Sequence, residues 1–257
     1  MLPATDLVDR PKTAPIENII YIVSSKFRDF CDSEQIWDYQ TALENLHKIA
    51  SNVDRIILGQ GLGHEHRQRL LESLKFLNSS RFISVQDHIH QRVSKEKVHK
   101  IRDNNVMVSG PQQLNESTFQ AFLVVDENCA EMSDHQTGEH VQGAVLIEAA
   151  RQMFMACATT FELSAEASAK LGDMQFALNE MRVVFHNFIF PIETRIELHF
   201  DGANVREKAA EGKAHIIFYQ NDKVCCEVFC IAQAFSKKML KVLETKSARS
   251  ARRSAIH

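Results

Sequence analysis

HVQGAVLIEAARQMFMACA, residues 140–158, is the stretch on which the reading of this chain turns. From Val145 to Ala158 the side chains are apolar around the whole circumference of a helix except at Glu148, Arg151 and Gln152, the pattern of a helix enclosed on all sides. Such a helix belongs at the centre of a domain, wrapped by other elements. Glu148 and Arg151 stand at i, i+3 and share one face of it. Burying either charge alone is costly or shifts its pKa, so the pair is either a buried ion pair or a working site.

The wrapping is expected from strands. A run at 119–125 precedes the helix, and long alternating or apolar runs at 174–185, 194–200, 209–219 and 223–235 follow it. Tyr219-Gln220-Asn221-Asp222-Lys223 supplies turn residues between the last two, predicting a hairpin. One buried helix ahead of a long antiparallel sheet gives an α+β fold.

Two ordered anchors carry a family resemblance. The segment SDHQTGEHVQGAVLIEAARQM, Ser133 to Met153, is similar to the second repeat of the A-factor biosynthesis (γ-butyrolactone synthase) hot-dog family, with its Asp-His, His-Val, Gly and Leu-Glu-Ala-Ala-Arg-Gln pattern. Upstream, Lys97-Val98-His99-Lys100 and the strand-like Asn105-Val106-Met107-Val108-Ser109 match that family's Val-His-Lys/Arg and first strand. The GAVLIE helix also resembles that of β-hydroxyacyl-thioester dehydratases, where a helix carboxylate is catalytic. The resemblance spans roughly residues 95–236 and implies a hot-dog fold, a long central helix wrapped by antiparallel sheet. Family members typically carry two repeats, whereas a single central-helix pattern stands here, and a single hot-dog is expected to dimerise. Glu139 replaces the family's Asp and Gln142 its Pro.

The rest of the chain adds a second unit. Residues 1–15, with three prolines, read as an extended arm. Apolar runs at 19–23, 55–58 and 81–85, separated by helical patterns through Trp37, Leu43, Leu46 and Ile49 and then Leu70, Leu71, Leu74 and Leu77, predict a small parallel βαβαβ domain over 16–90. A charged linker, 91–102, leads into the hot-dog region ending at 236. The tail at 237–257 holds seven Lys and Arg against Glu244 and is expected to stay flexible.

Bulk properties narrow the function. A formal charge of −3 over 257 residues gives no drive toward nucleic acid. No apolar run reaches the ~18 residues of a membrane span, and the opening MLPATDLVDRPKTAP lacks an export pattern, so the cytoplasm is expected. The six cysteines, at 31, 129, 157, 225, 226 and 230, read as reduced core residues. No metal and no cofactor are expected: His64-x-His66 and His88-x-His90 lack carboxylate or thiol company. Gly59-x-Gly61-x-Gly63 departs from the dinucleotide spacing and reads as a turn before a helix.

The resemblance implies an acyl-thioester enzyme, foremost an acyltransferase moving a β-ketoacyl group from acyl carrier protein or coenzyme A to a small hydroxylated acceptor in signal or secondary-metabolite biosynthesis. A dehydratase or hydratase is the alternative, and so is a non-catalytic acyl-binding module; the dehydratase His-Phe-Pro-Gly pattern is absent. In the functional reading Glu148 is a general base and Arg151 binds a phosphate, carboxylate or oxyanion; in the structural one they neutralise each other. His140 is the candidate proton carrier. Asp134, His135, Gly143 and Gln152 are candidate substrate contacts, Gly143 through backbone N–H groups at the helix start. Lys97, His99 and Lys100 are candidate docking residues for an acidic carrier or coenzyme A phosphates.

Overall fold

The computed structural model describes residues 18–32, 34–76, 83–87, 90–134, 138–161, 165–172 and 174–255. Its first unit comprises β1 (Ile19–Val23), β2 (Ile36–Asp38), α1 (Tyr39–Glu44), α2 (Leu46–Asn52), β3 (Arg55–Leu58), α3 (His64–Phe76) and β4 (Ser84–Asp87). The four strands form an all-parallel sheet in the order β2-β1-β3-β4. This is one strand more than the expected βαβαβ unit. The addition is β2, in a stretch whose Trp37 fits a helical pattern; the Asp32 carboxylate accepts from the backbone N–H groups of Glu34, Gln35 and Ile36, turning the chain so that Ile36 to Asp38 pair with β1. Asp38 then caps α1 by accepting from Gln40 and Thr41.

The second unit is the hot-dog. It holds β5 (Gln112–Gln113), β6 (Thr118–Phe122), α4 (Ala130–Ser133), α5 (Gly143–Thr160), α6 (Ala165–Leu171), β7 (Met174–Phe185), β8 (Arg195–Val205), β9 (Ala209–Gln220) and β10 (Lys223–Ser236). The six strands form an antiparallel sheet ordered β5-β6-β8-β9-β10-β7. Strands β9 and β10 are joined at Asn221 and Asp222, both in the left-handed region (φ 50° and 59°), the backbone of the expected tight hairpin. Alternate residues such as Ile196, Leu198, Ile216, Phe218 and Val228 face inward and pack against Val145, Ala149, Met153 and Cys157 of α5. Each fully buried Val, Leu, Phe or Met side chain contributes ~1.5–3 kcal/mol.

Three features differ from the sequence expectations. The enclosure of α5 is incomplete, for Ala144 is exposed and Ile147 is 38% exposed, leaving one stripe near its start uncovered. Residues 105–109 form only isolated bridges, Val108 to Leu123 and Ser109 to Arg92, because the Gln152 side chain accepts from the Met107 N–H where a strand partner would. The basic segment after 236 forms α7 (Lys237–Ser254), begun by Ser236, whose hydroxyl accepts from the Met239 N–H. Among the described residues no helix is long and apolar enough to cross a membrane.

The Gly59 to Gly63 turn is where the two units join. Gln60, 1% exposed, donates its side-chain amide to the Leu123 carbonyl and accepts from the Val125 N–H, both at 2.8 Å. Gly61 donates to the Val125 carbonyl and accepts from Glu127. The Ser24 hydroxyl donates to the Glu127 carboxylate, and Val23 and Phe27 belong to the hot-dog core. A turn this buried and this fully hydrogen-bonded to protein is a structural joint, not a phosphate cradle. Gly61 sits at φ +86°, and a Cβ there would lie 2.4 Å from the Ser24 Cβ. Gly61→Ala is therefore expected to cost about 2 kcal/mol or more, lowering the thermal midpoint by roughly 4–8 °C; an unchanged midpoint by differential scanning fluorimetry would show that the joint tolerates slack.

Candidate active site

Two neighbouring arrangements lie along α5. The first is a charge network on its half-exposed face. Both Glu148 carboxylate oxygens accept from Arg151, Nε to Oε2 and Nη2 to Oε1, each at 2.8 Å. Glu148 Oε1 also lies 2.8 Å from the Lys100 ammonium and accepts from Gln152 Nε2 at 2.9 Å. Arg151 Nη2 donates to the Val98 carbonyl at 3.1 Å, and Gln152, fully buried, donates to the Asn105 carbonyl. Burial alone would push the Glu148 pKa up, but the bonds from Arg151, Lys100 and Gln152 override it and hold the carboxyl down at about 2. The Arg151 guanidinium is raised in turn, chiefly by its bond to Glu148.

This network explains the upstream anchor. Residues 95–98 form a short 3-10 turn, not a solvated linker: Val98 is fully buried, His99 takes the left-handed conformation at φ 55°, and the chain reverses so that Lys100 meets Glu148. Lys100 also pairs with Glu131 at 3.6 Å, and Lys97 donates to Thr160 at 3.0 Å. The cations assigned from sequence to docking thus face inward, while His99 is exposed.

The second arrangement is an open groove of about 530 Å³ at the start of α5, lined by His140, Gly143, Leu146, Phe185, His186 and Phe188 among others. The His140 ring packs on Phe188 at 4.7 Å, and a Cβ on Gly143 would meet the Phe185 ring at 2.9 Å, so a larger residue there would push that half-exposed ring away from the helix start. The first N–H groups of α5 have no acceptor within the helix. Gln142 caps the backbone without a side-chain cap bond; its amide is buried, and both polar atoms lack a partner. On the groove wall His186 Nε2 lies 2.7 Å from Glu227, whose other oxygen lies 2.6 Å from His215 Nε2. Glu227 is pulled below the usual carboxylate range, first by the His186 bond.

Of the residues chosen from sequence, Glu148, Arg151, Gln152 and Lys100 converge in the network, and His140 and Gly143 meet at the groove. Asp134 is exposed at the end of α4, and His135 lies outside the described residues. His66 stacks on Tyr39 and lies 3.3 Å from Glu127; His90 stacks on Phe122 and pairs with Glu193; His88 is outside the described residues. Among the described residues no three His, Cys, Asp or Glu side chains converge as metal ligands. Burial pushes up the thiols of Cys129 and Cys230 to about 11 and Cys226 to about 12, unsuited to nucleophilic work. Sequence reasoning missed His186 and Glu227, since 41 residues separate them and only the β7–β10 register brings them together.

The segment that holds the helix, the long sheet and the Val98 anchor matches one family: the AfsA A-factor biosynthesis hotdog domain covers residues 83–236. The chain belongs to that family. The match begins at the last strand of the first unit and ends with β10. No curated protein matches significantly. Solved structures similar to the chain include a conserved protein from Pseudomonas aeruginosa (13% identity, 56% of this chain, 100% of that one, TM-score 0.37). A thioesterase from Haemophilus influenzae is also similar (11%, 65% and 90%, TM-score 0.36), as is a hypothetical thioesterase with coenzyme A from Streptococcus pneumoniae (7%, 56% and 98%, TM-score 0.38).

The depressed Glu148 pKa has a stability consequence. A carboxyl that falls from its ordinary 4.5 to about 2 on folding contributes stability above pH 4.5 that is lost as pH drops through 2. The contribution is about 2 kcal/mol after allowance for solvent screening. In urea titrations, wild type is expected to exceed Glu148→Gln in stability at pH 7, with the gap narrowing below pH 4.5. A gap that does not change with pH would deny Glu148 its special environment.

Proposed function

We propose that the protein is an acyltransferase that moves a β-ketoacyl group from the thioester of an acyl carrier protein or coenzyme A to a hydroxyl of a small acceptor. The observation that carries this reading is the groove at the start of α5, where unbonded helix N–H groups, a carboxylate-oriented histidine and apolar walls meet in a member of the A-factor biosynthesis hotdog family. The thioester carbonyl accepts from the N–H groups at Gly143 and Ala144, in the positive end of the helix dipole. His186, oriented by Glu227, takes the proton of the acceptor hydroxyl. The oxygen attacks the carbonyl carbon, the oxyanion is held at the helix start, the C–S bond breaks, and the imidazolium returns its proton to the departing thiol. His140 faces the same groove and orders the acceptor. Glu148, ionised and saturated with donors, is a positioning residue here: with Arg151 and Lys100 it fixes residues 95–107 against the helix.

Incubation with a β-ketoacyl carrier thioester and a panel of small hydroxylated acceptors, read by mass spectrometry, tests this. An ester product is expected. Free acid alone would make the protein a hydrolase and unchanged retention a binding module, and water loss in a parallel incubation with a β-hydroxyacyl thioester would make it a dehydratase. His186→Asn is expected to lower turnover by ~10²–10⁴ with an unchanged thermal midpoint, and Glu227→Gln to lower it less; full turnover in a folded His186→Asn removes His186 from the role.

The same reading includes a homodimer. Strand β7 ends the sheet with an unpaired edge, Leu178 and Phe185 are about half exposed, Phe188 is 68% exposed, and the Ala144 and Ile147 stripe of α5 lies open nearby. A second copy covering edge and stripe removes both liabilities. Light scattering at micromolar concentration is expected to give twice the 29.3 kDa chain mass, and a monomer would overturn this.

A further inference from the structure

We infer that α7 is the docking element for an acidic carrier protein that presents the acyl thioester; the inference rests on the thioester reading above. Lys237, Lys238, Lys241, Lys246, Arg249, Arg252 and Arg253 against Glu244 give α7 a charge of +6, which, with −3 for the whole chain, leaves the remainder at −9. The chain thus concentrates its positive charge on one projecting element. That element is ordered: Ser236 caps it, Met239 and Leu240 are half-buried at its base, and from Lys241 onward nearly every residue is exposed. Val242, Lys246, Arg249 and Arg253 follow at helical spacing down one stripe and line a shallow groove with Lys241 and Thr245.

The chemistry of this face selects its occupant. A single small apolar contact, Val242 with Leu243 beside it, on a helix that carries seven cations against one acid, Glu244, suits an acidic protein surface with a small apolar spot. A membrane surface needs bulky apolar residues along the whole helix, whereas beyond Leu243 only Thr, Ser, Ala and charged side chains occur. Nucleic acid, whose phosphates the same cations would also attract, is separated from an acidic protein by the test below. In the other basic cluster, at 95–102, Lys100 is held by Glu148 and Glu131, Lys95 is paired with Asp103 and Lys97 is bonded to Thr160, whereas the α7 cations from Lys241 onward stand exposed.

The test compares the full-length protein with the triple variant Lys241→Glu, Lys246→Glu, Arg249→Glu, in which all three residues are exposed and outside the proposed machinery. Binding of a fluorescent acyl carrier protein is expected to weaken at least tenfold in the variant, and wild-type binding to weaken with rising salt. With the carrier thioester KM rises while kcat holds; with the same acyl group on N-acetylcysteamine, which has no protein surface, both constants stay unchanged. Unchanged carrier affinity overturns the proposal. So does an equal loss with both thioesters, which would place α7 in the reaction or the fold. Loss of the dimer on charge reversal would assign the helix to a contact between copies. Wild-type cosedimentation with phosphatidylglycerol vesicles or retention on duplex DNA, with no affinity for the carrier, would assign it to those surfaces. If neither thioester is turned over, the acyltransferase reading fails while the binding measurement still decides for or against docking.

Discussion

The Glu148 carboxylate is the hub that ties the irregular backbone before the sheet to the central helix. Its two oxygens gather Arg151, Lys100 and Gln152, and each donor is tied to a different part of the chain: Arg151 to the Val98 carbonyl, Lys100 to Glu131 at α4, Gln152 to Asn105 and Met107. One carboxylate therefore fixes twelve residues of irregular backbone, 95–106, against a helix whose remaining surface is apolar. Neutralising it would release two cations into a partly buried setting, where an unpaired charge is costly. Such a hub is a poor base, because its proton affinity is suppressed by the same bonds that make it useful.

On the proposed mechanism, that difference separates support from chemistry along one helix. The first turn of α5 faces an open groove with backbone donors, a glycine and two histidines, whereas the face one turn later is locked by ion pairs. The locked half can hold the open half in place without taking part in proton transfer. The Gln142 amide at the N-cap of the helix is buried and unpartnered. A polar group left in that state costs about 1–3 kcal/mol, a penalty that a bound polar group at the helix start would relieve.

Much of the fold was legible because its signals are local. The α5 segment is apolar on every face but three positions from Val145 to Ala158, β9 and β10 are long alternating or apolar runs, and Asn221-Asp222 supply a tight turn. What escaped depends on distant partners. Strand β2 is three residues long and exists because β1 offers an edge. Residues 105–109 have a strand's composition, yet a glutamine side chain from the helix occupies the ladder position. The tail has the composition of a flexible segment, but Ser236 starts a helix at the end of a long strand. For the site, the motif led to the network, and the His186–Glu227 pair left no trace because adjacent strands, not neighbouring residues, create it.

The joint between the two units has a consequence for the order in which the protein matures during synthesis. The buried Gln60 waits for partners 63 and 65 residues further along the chain, and Ser24 for one 103 residues away; Gln60 N–H also bonds the Pro191 carbonyl. As the ribosome releases the amino-terminal unit first, its parallel sheet is made before the groups that satisfy its innermost turn exist. For that interval the Gln60 side chain and the Gly61 peptide groups are bonded only to water, while the Gln60 carbonyl accepts from the Ser24 N–H, and the unit is a half-finished surface awaiting the hot-dog strands. Synthesis halted near residue 100 would thus yield a fragment that is adhesive and short-lived, and the middle of the chain, with Pro191 beyond it, completes the first unit.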